Sequence, residues 1–259
     1  MKWYAFLSLL FFSGCGPKEE RRAVDEIPIG YVGKARINPY LAAEKYLDQL
    51  GWNVESSRTW SNYDNETRMI ILPGSFLRTK GMAIRVLDWV SRGGNLVMTI
   101  EGGEPDRNDF TEFDSGMGFS KGGDYPGLDH VLEQLGISSA HYSYQAADHN
   151  SKNRGHLSRP WELVKTKEEW GGHSLEFEGE VGLGIEKGRN WIPAKDEKSR
   201  MVGTNYGSGE VLVLAHARPF RNPYLARADH ADFLDHLSGV YGRSCLLYTS
   251  DAADDALSV

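Results

Sequence analysis

The first hundred residues pass repeatedly from short apolar runs to longer segments whose apolar residues recur at helical spacing. The runs predict buried strands, because a strand covered on both faces carries apolar residues continuously. The spaced segments predict helices with one apolar face. The predicted order is strand Ile27–Val32, helix Pro39–Leu50 capped by Asn38, strand Trp52–Ser56, strand Met69–Leu72, a helix from Thr79 to Gly93-Gly94, and strand Asn95–Ile100.

Strands and helices that alternate in this way are typical of a doubly wound, mostly parallel sheet. The sequence therefore predicts an α/β fold of the flavodoxin-like kind. A β-rich insertion in the second half, about residues 137–206, is expected to interrupt it. The remaining predicted elements are a loop over 101–127, a helix over 128–135, a strand over 137–144, an irregular stretch over 146–172, paired strands within 174–187, a hairpin over 200–215, and a helix over 226–241.

The N-terminus has the pattern of an export signal. Lys2 precedes an apolar run from Trp3 to Phe12, and Ser13-Gly14-Cys15 follows. About ten apolar residues are too few to span a bilayer. Small residues directly before a cysteine resemble the lipobox of bacterial lipoproteins, in which that cysteine is lipidated; the alternative is an ordinary signal peptide. We expect a signal over 1–15, a tether over 16–27, one domain over 28–244, and a lipid-anchored location facing the periplasm or exterior.

The C-terminal residues from Cys245 to Asp255 resemble the conceptual translation of a sequencing adapter, and the alternative is a natural tail rich in small residues. On the first interpretation, residues 245–259 are excluded from the fold. The two cysteines of the chain, Cys15 and Cys245, then both lie outside the domain. Disulfides, thiolate metal sites and cysteine nucleophiles are therefore not expected in it.

The net charge and the glycine motifs bear on two further classes of function, nucleic-acid binding and cofactor binding. The net charge of −7 argues against nucleic acid as a partner, since phosphates require a basic face. The glycines of the long loop do not match the dinucleotide-binding pattern, and the chain has no phosphate-binding P-loop motif. No cofactor is therefore expected.

Four stretches together resemble domain-of-unknown-function family 4350, a branch of the class I glutamine amidotransferase-like folds. They are NPYLAAEKYL from Asn38, IILPG ending at Gly74, LDWVSRGG ending at Gly94 with NLVM after it, and YGSGEVLVL ending at Leu214. The resemblance covers roughly residues 30–105 and 200–240. It implies a flavodoxin-like fold, and partners in the membrane, because family members commonly continue into a membrane helix.

The resemblance also implies a loss of glutaminase chemistry. Amidotransferases carry a cysteine nucleophile at the turn that corresponds to Glu101, and a His-x-Glu pair that corresponds to His216-Ala217-Arg218. A carboxylate cannot replace a thiolate in attacking an amide carbonyl by this mechanism. The expected role is therefore a non-catalytic domain that binds a ligand or partner in the cell envelope.

Ligands of open α/β sheets bind at the carboxyl ends of the strands. The candidate ligand-binding residues there are Gly74, Ser75, Glu101, Gly102, Gly103, His216 and Arg218. An alternative function is a hydrolase in which Ser75 is the nucleophile, His216 the base and Glu101 the orienting acid. Against it, Gly74-Ser75-Phe76 lacks the G-x-S-x-G elbow.

Two weaker candidates complete the set. Asp229, Asp232 and His236 share one face of the last predicted helix and could hold a metal ion, although such a face is more often only solvated. Trp161, Trp170 and Trp191 could stack on sugars, which would make the protein an envelope carbohydrate-binding protein. Tryptophan more commonly serves hydrophobic packing.

Overall fold

The computed structural model describes residues 34–57, 66–100, 125–141, 161–166, 171–178, 181–186, 199–242 and 244–248. The predicted signal, tether and first strand, and most of the 101–127 loop, lie outside these ranges. The helices are α1 (Lys34–Ile37), α2 (Leu41–Gln49), α3 (Lys80–Ser91), α4 (Pro126–Leu135) and α5 (His230–Tyr241). The strands are β1 (Asn53–Ser57), β2 (Met69–Pro73), β3 (Asn95–Thr99), β4 (Ile137–His141), β5 (Trp161–Lys165), β6 (Ser174–Glu178), β7 (Val181–Ile185), β8 (Met201–Tyr206), β9 (Gly209–Leu214) and β10 (Ser244–Tyr248).

Six strands form the central sheet, in the order β1-β10-β2-β3-β9-β8. All neighbours in it are parallel except β8, which pairs with β9 in an antiparallel hairpin. Every residue of β2 is buried, as the continuous apolar run predicted. The predicted α/β fold with a mostly parallel sheet is confirmed.

Helices cover both faces of this sheet and divide the core in two. On one face α3 and α4 pack over alternate strand residues such as Ile70, Leu96 and Val211. On the other face α2 and α5 pack over the intervening residues, among them Ile71 and Val97. A strand with both faces covered cannot be amphipathic, and this explains why the sequence shows uninterrupted apolar runs there.

The β-rich part differs in detail from its prediction. The strands predicted to pair within 174–187 belong to different two-stranded sheets, since β6 pairs with β5 and β7 with β4. The stretch predicted to be irregular contains β5. Alternation shows which residues of a strand share a face, but it does not identify the partner strand, because pairing depends on contacts distant in sequence.

Two helices begin later than predicted. The Asn38 side chain accepts a hydrogen bond from the Tyr40 backbone N–H at 2.9 Å, which holds a turn, and α2 starts only at Leu41. The helix predicted from residue 226 begins at His230, because the preceding residues form turns. Within the described ranges, none of the helices has both the length and the apolar content that a bilayer crossing requires.

The predicted exclusion of residues 245–248 from the fold does not hold in this structure. Ser244–Tyr248 forms β10, which lies between β1 and β2 and pairs with both. Its Cys245 is therefore inside the sheet, free and buried, and burial raises the pKa of the thiol, which makes it a poor nucleophile. A short apolar segment can fill a slot covered on both faces whatever its origin, so the adapter interpretation stays a prediction.

The predicted cap of α3 is present and can be tested. The Thr79 hydroxyl accepts a hydrogen bond from the Met82 backbone N–H at 3.3 Å. We expect Thr79→Ala to lower the free energy of unfolding by about 1 kcal/mol, because the first turn loses its acceptor. Thr79→Ser keeps the hydroxyl and should stay within about 0.5 kcal/mol of the parent chain in urea titrations. Equal losses in both variants would contradict a capping role.

Candidate functional site

The predicted site residues follow three adjacent parallel strands. Pro73 of β2 is in register with Thr99 of β3, and Thr99 with Leu214 of β9. Their carboxyl ends therefore meet at one edge of the sheet, which we call the carboxyl edge. Glu101, Gly102 and Gly103 follow the central strand of the three but lie outside the described residues. The strands that precede Ser75 and His216 are two strand spacings apart, roughly 10 Å.

Ser75 lies in a tight turn that leaves little of it exposed. Residues Gly74–Phe76 form a single 3-10 turn directly after β2. A side chain at Gly74 would meet the Thr99 carbonyl oxygen at 3.0 Å and the Leu128 side chain, so the turn leaves little room for a larger residue there. Ser75 itself is 3% exposed. The turn thus packs Ser75 against the body of the domain, in contrast to a nucleophile elbow, which presents its serine to solvent.

His216 is half-buried just beyond β9, and its ring has a defined hydrogen-bonding state. Its Nδ1 accepts a hydrogen bond from the Arg218 backbone N–H at 3.0 Å. A ring nitrogen that accepts carries no hydrogen, so the neutral ring has its hydrogen on Nε2. A serine-activating histidine needs the reverse arrangement, in which Nδ1–H donates to an acid and Nε2 accepts from the serine.

Arg218 is paired inside the protein. Its side chain is 1% exposed, and its Nε and Nη2 both donate to Glu176 Oε2 at 3.1 Å. The guanidinium carbon lies 3.7 Å from the centroid of the Tyr224 ring. Arg227 approaches the same carboxylate at 3.9 Å, but about half of its side chain is exposed. Arg218, expected to meet a ligand, instead joins β6 to the loop after β9.

Side chains at the start of α5 cover the outer edge of β6. Asp229 Oδ2 accepts from the Ser174 backbone N–H at 2.7 Å, and His230 Nε2 accepts from the Glu176 backbone N–H at 2.9 Å. His230 is fully buried, and its Nδ1 bonds the Tyr224 carbonyl at 2.8 Å. Both ring nitrogens are therefore satisfied in a neutral ring. Free backbone groups of an edge strand invite pairing with other chains, and here side chains occupy them.

The sequence analysis named Arg218 and Asp229 but missed Glu176 and His230, because Glu176 is 42 positions from Arg218. Nothing local marks Glu176 as the partner of an arginine. The one local signal is the crowding of acids and histidines at residues 229–236, the same pattern that offers a weak metal candidate.

The three weak metal candidates, Asp229, Asp232 and His236, do not form a group that could hold an ion. Asp229 precedes the first turn of α5 and bonds the backbone of β6, so it does not continue the helical face of Asp232 and His236. His236 packs against the His173 ring, with 5.5 Å between centroids. Across the described ranges, His, Cys, Asp and Glu form no group of three or more that could hold a metal ion.

The tryptophans predicted to stack on sugars fall mostly outside the described residues. Trp170 and Trp191 lie there entirely, and Trp161 is described only as the first residue of β5.

The fold and the site define the class of protein as an α/β domain with a mixed, mostly parallel sheet, whose carboxyl edge is joined to the β5–β6 sheet by buried polar contacts. The family model for DUF4350, a domain of unknown function, matches residues 33–237. The chain therefore belongs to this family, as its motifs predicted. A comparison with curated proteins found no match.

Several solved structures share a distant likeness. The mmIFT52 N-terminal domain has a TM-score of 0.40 and 13% identity, with 76% of this chain and 80% of that chain covered. Gan42B, a GH42 β-galactosidase, has a TM-score of 0.38 and 15% identity, with 67% and 21% covered, so this chain spans about a fifth of that enzyme. The cytoplasmic protein STM1381 from Salmonella typhimurium LT2 has a TM-score of 0.36 and 13% identity, with 68% and 72% covered.

The structural role of Arg218 leads to a stability prediction. Arg218→Met keeps much of the volume but leaves Glu176 without its principal partner. We expect a loss of about 2–3 kcal/mol in the free energy of unfolding, because removing one member of a buried ion pair leaves the other charge without a partner. Arg227→Met is the matched control, since that arginine is more distant and half exposed, and should cost less than about 0.5 kcal/mol. Similar losses for both, measured in urea, would contradict the assignment.

The buried His230 predicts a dependence of stability on pH. Burial lowers the pKa of His230 below its ordinary value of 6.5, and this outweighs the raising effects of the Tyr224 carbonyl and Glu176. As the pH falls, the unfolded chain binds the proton first. The stabilisation is thus present above pH 6.5 and lost as the pH falls through the folded pKa, with a slope of at most about 1.4 kcal/mol per pH unit.

The measurement is urea unfolding at several pH values between 5 and 8. His230→Gln supplies an oxygen for the Glu176 N–H and cannot titrate, so its stability should fall less steeply below pH 6.5. The slope that remains includes His236, whose pKa is also lowered by burial and by the neighbouring His173. Identical slopes in the parent chain and the variant would show that His230 does not contribute.

Proposed function

We propose that this protein is a cell-envelope lipoprotein whose domain binds a ligand or partner without catalysing a reaction. On this proposal the fold is a flavodoxin-like, amidotransferase-like scaffold that lacks the cysteine nucleophile. Cys15 carries the lipid anchor, and the carboxyl edge faces the periplasm or exterior. Membrane and envelope proteins are the expected partners.

The observation that carries the non-catalytic role is the hydrogen bond from the Arg218 backbone N–H to His216 Nδ1. It leaves Nε2 as a donor, whereas general-base catalysis on a serine hydroxyl needs a free lone pair there. It also occupies the nitrogen that an orienting acid such as Glu101 would have to bind. The burial of Ser75 and the pairing of Arg218 with Glu176 also support a non-catalytic role. On this proposal, the side chains of Ser75, His216 and Arg218 stabilise the fold at the carboxyl edge.

A hydrolysis assay separates this proposal from the serine hydrolase alternative. We expect the purified chain to release p-nitrophenol from p-nitrophenyl acetate and butyrate no faster than its Ser75→Ala variant. It should release no ammonia from glutamine, since the family resemblance implies that Glu101 replaces the cysteine nucleophile of amidotransferases. Ester turnover that Ser75→Ala and His216→Gln both abolish, in variants that still unfold cooperatively, would overturn the non-catalytic role.

Binding at the carboxyl edge is tested by photo-crosslinking in cells. A photoreactive residue at position 216 should give adducts of defined mass, because His216 lies half-exposed at that edge. The matched control is position 92, since Arg92 follows α3 at the opposite edge of the sheet and is exposed. Equal adducts from both positions, or none from position 216, would contradict a binding role for this edge.

The lipid anchor is tested by metabolic labelling with a fatty acid. The chain should incorporate the label, and Cys15→Ser should not. Label retained by the variant would defeat the lipoprotein assignment but would leave the role of the domain untouched.

A further inference from the structure

The outer edge of β6 is held against α5 by contacts that depend on protonation. Asp229 pairs twice with Ser174: its backbone N–H donates to the Ser174 carbonyl at 3.0 Å, and its Oδ2 accepts from the Ser174 N–H at 2.7 Å. The Glu176 N–H donates to His230 Nε2 at 2.9 Å, and that nitrogen accepts only in a neutral ring. We call the contacts of His173, Ser174 and Glu176 with Asp229 and α5 the β6 seam.

Two more histidine rings face each other across the β6 seam. The His173 ring, directly before β6, lies 5.5 Å from that of His236 and 5.9 Å from that of Phe233, between centroids. Its Nε2 is buried and has no hydrogen-bond partner among the residues that the structure describes. Gly171 has a φ of 77°, and a side chain there would collide with the His173 ring. The turn before β6 thus encloses this ring, and a charge on it would lie beside His236.

The surrounding charges act on these rings in both directions. Burial contributes most to the lowered pKa of His230, and Glu176 and the Arg218 guanidinium oppose each other there. Burial and His173 lower the pKa of His236, against the raising effect of Asp235. The charged and titratable groups of the elements around the seam are Lys165 of β5, Glu176 of β6, Arg218 and Arg227 after β9, Asp229, Asp232 and Asp235 of the α5 region, and Tyr46 of α2.

We propose that the β6 seam is an acid-released latch, which holds the outer edge of β6 on α5 at neutral pH and opens in mildly acidic solution. A proton on His230 Nε2 turns this acceptor into a donor that faces the Glu176 N–H. Protons on His173 and His236 place two positive rings side by side. Opening of the seam relieves both conflicts, because the rings then reach water.

The opening is local, because the other face of β6 has a separate attachment. Leu175 and Phe177 are fully buried in the core on the α2 and α5 side of the central sheet. Their burial does not depend on pH. The acid-sensitive step therefore frees the backbone groups of Ser174 and Glu176 at the outer edge, without removing β6 from the core.

The direction of the pH effect follows from which state binds protons first. In the open seam His230 and His236 are in water and bind protons near the ordinary value of 6.5, whereas the closed seam binds them only at lower pH. The latch is therefore closed above pH 6.5 and loosens as the pH falls from there. Each histidine contributes at most about a tenfold change in the opening equilibrium per pH unit.

Hydrogen exchange of the backbone amides, corrected for the intrinsic effect of pH, tests the latch in the parent chain. The protection of the Ser174 and Glu176 amides should fall by about tenfold or more between pH 7.5 and pH 5. At pH 5 they should be at least about tenfold less protected than the amides of β3, which report global unfolding. Constant protection at the seam, or protection equal to that of β3 at pH 5, overturns the proposal.

A double variant tests whether the histidines cause the opening. Glutamine supplies an oxygen for the Glu176 N–H and does not titrate, so His230→Gln with His236→Gln should reduce the change at the seam to less than about threefold. The matched control is His130→Gln, because His130 lies on α4 at the other face of the central sheet, and it should keep the full change.

A double variant that keeps the full pH dependence, or a control that loses it, would refute the latch. If the double variant does not fold, the comparison of seam and β3 amides in the parent chain decides the question alone. Neither measurement depends on whether the carboxyl edge binds a ligand.

Discussion

The pairing of Arg218 with Glu176 is the contact on which the arrangement of the carboxyl edge depends. A guanidinium that is 1% exposed has lost nearly all of its water, and it is stable there only with a carboxylate and a ring face beside it. Glu176 belongs to β6. Moving the β5–β6 sheet away from the loop after β9 would therefore leave the buried guanidinium of Arg218 without its carboxylate partner. Asp229 and His230 accept hydrogen bonds from the β6 backbone, and these bonds also fix the position of the β5–β6 sheet.

The same network fixes the hydrogen bonding of His216. The turn after β9 brings the Arg218 side chain to Glu176, and its backbone N–H simultaneously meets His216 Nδ1. The histidine is thereby held in the wrong tautomer for a base. A single turn thus pairs Arg218 with Glu176 and sets the hydrogen bond at His216 Nδ1. Membership of a family with a domain of unknown function does not define a role, which depends on the residues of the site.

The central sheet places a looser constraint on the sequences of its strands. A strand with both faces covered must be apolar and parallel to its neighbours, but its exact sequence matters less. This is why Cys245–Tyr248, which the sequence analysis excluded from the fold, can lie in the middle of the sheet. The residues that fit such a slot are defined by burial, whereas the residues that fit the Arg218 network are defined by hydrogen bonds at specific distances.

The sequence by itself determined the elements whose cause is local. The run Met69–Leu72, the Thr79 cap and the hairpin around Gly207 were all predictable, because burial on both faces, capping and tight turns act over a few neighbouring residues. Only the tertiary structure decided the partners of β6 and β7, the role of Arg218 and the tautomer of His216. Those features depend on groups tens of residues apart, and a linear pattern carries no information about which distant group will satisfy a buried charge or an edge strand.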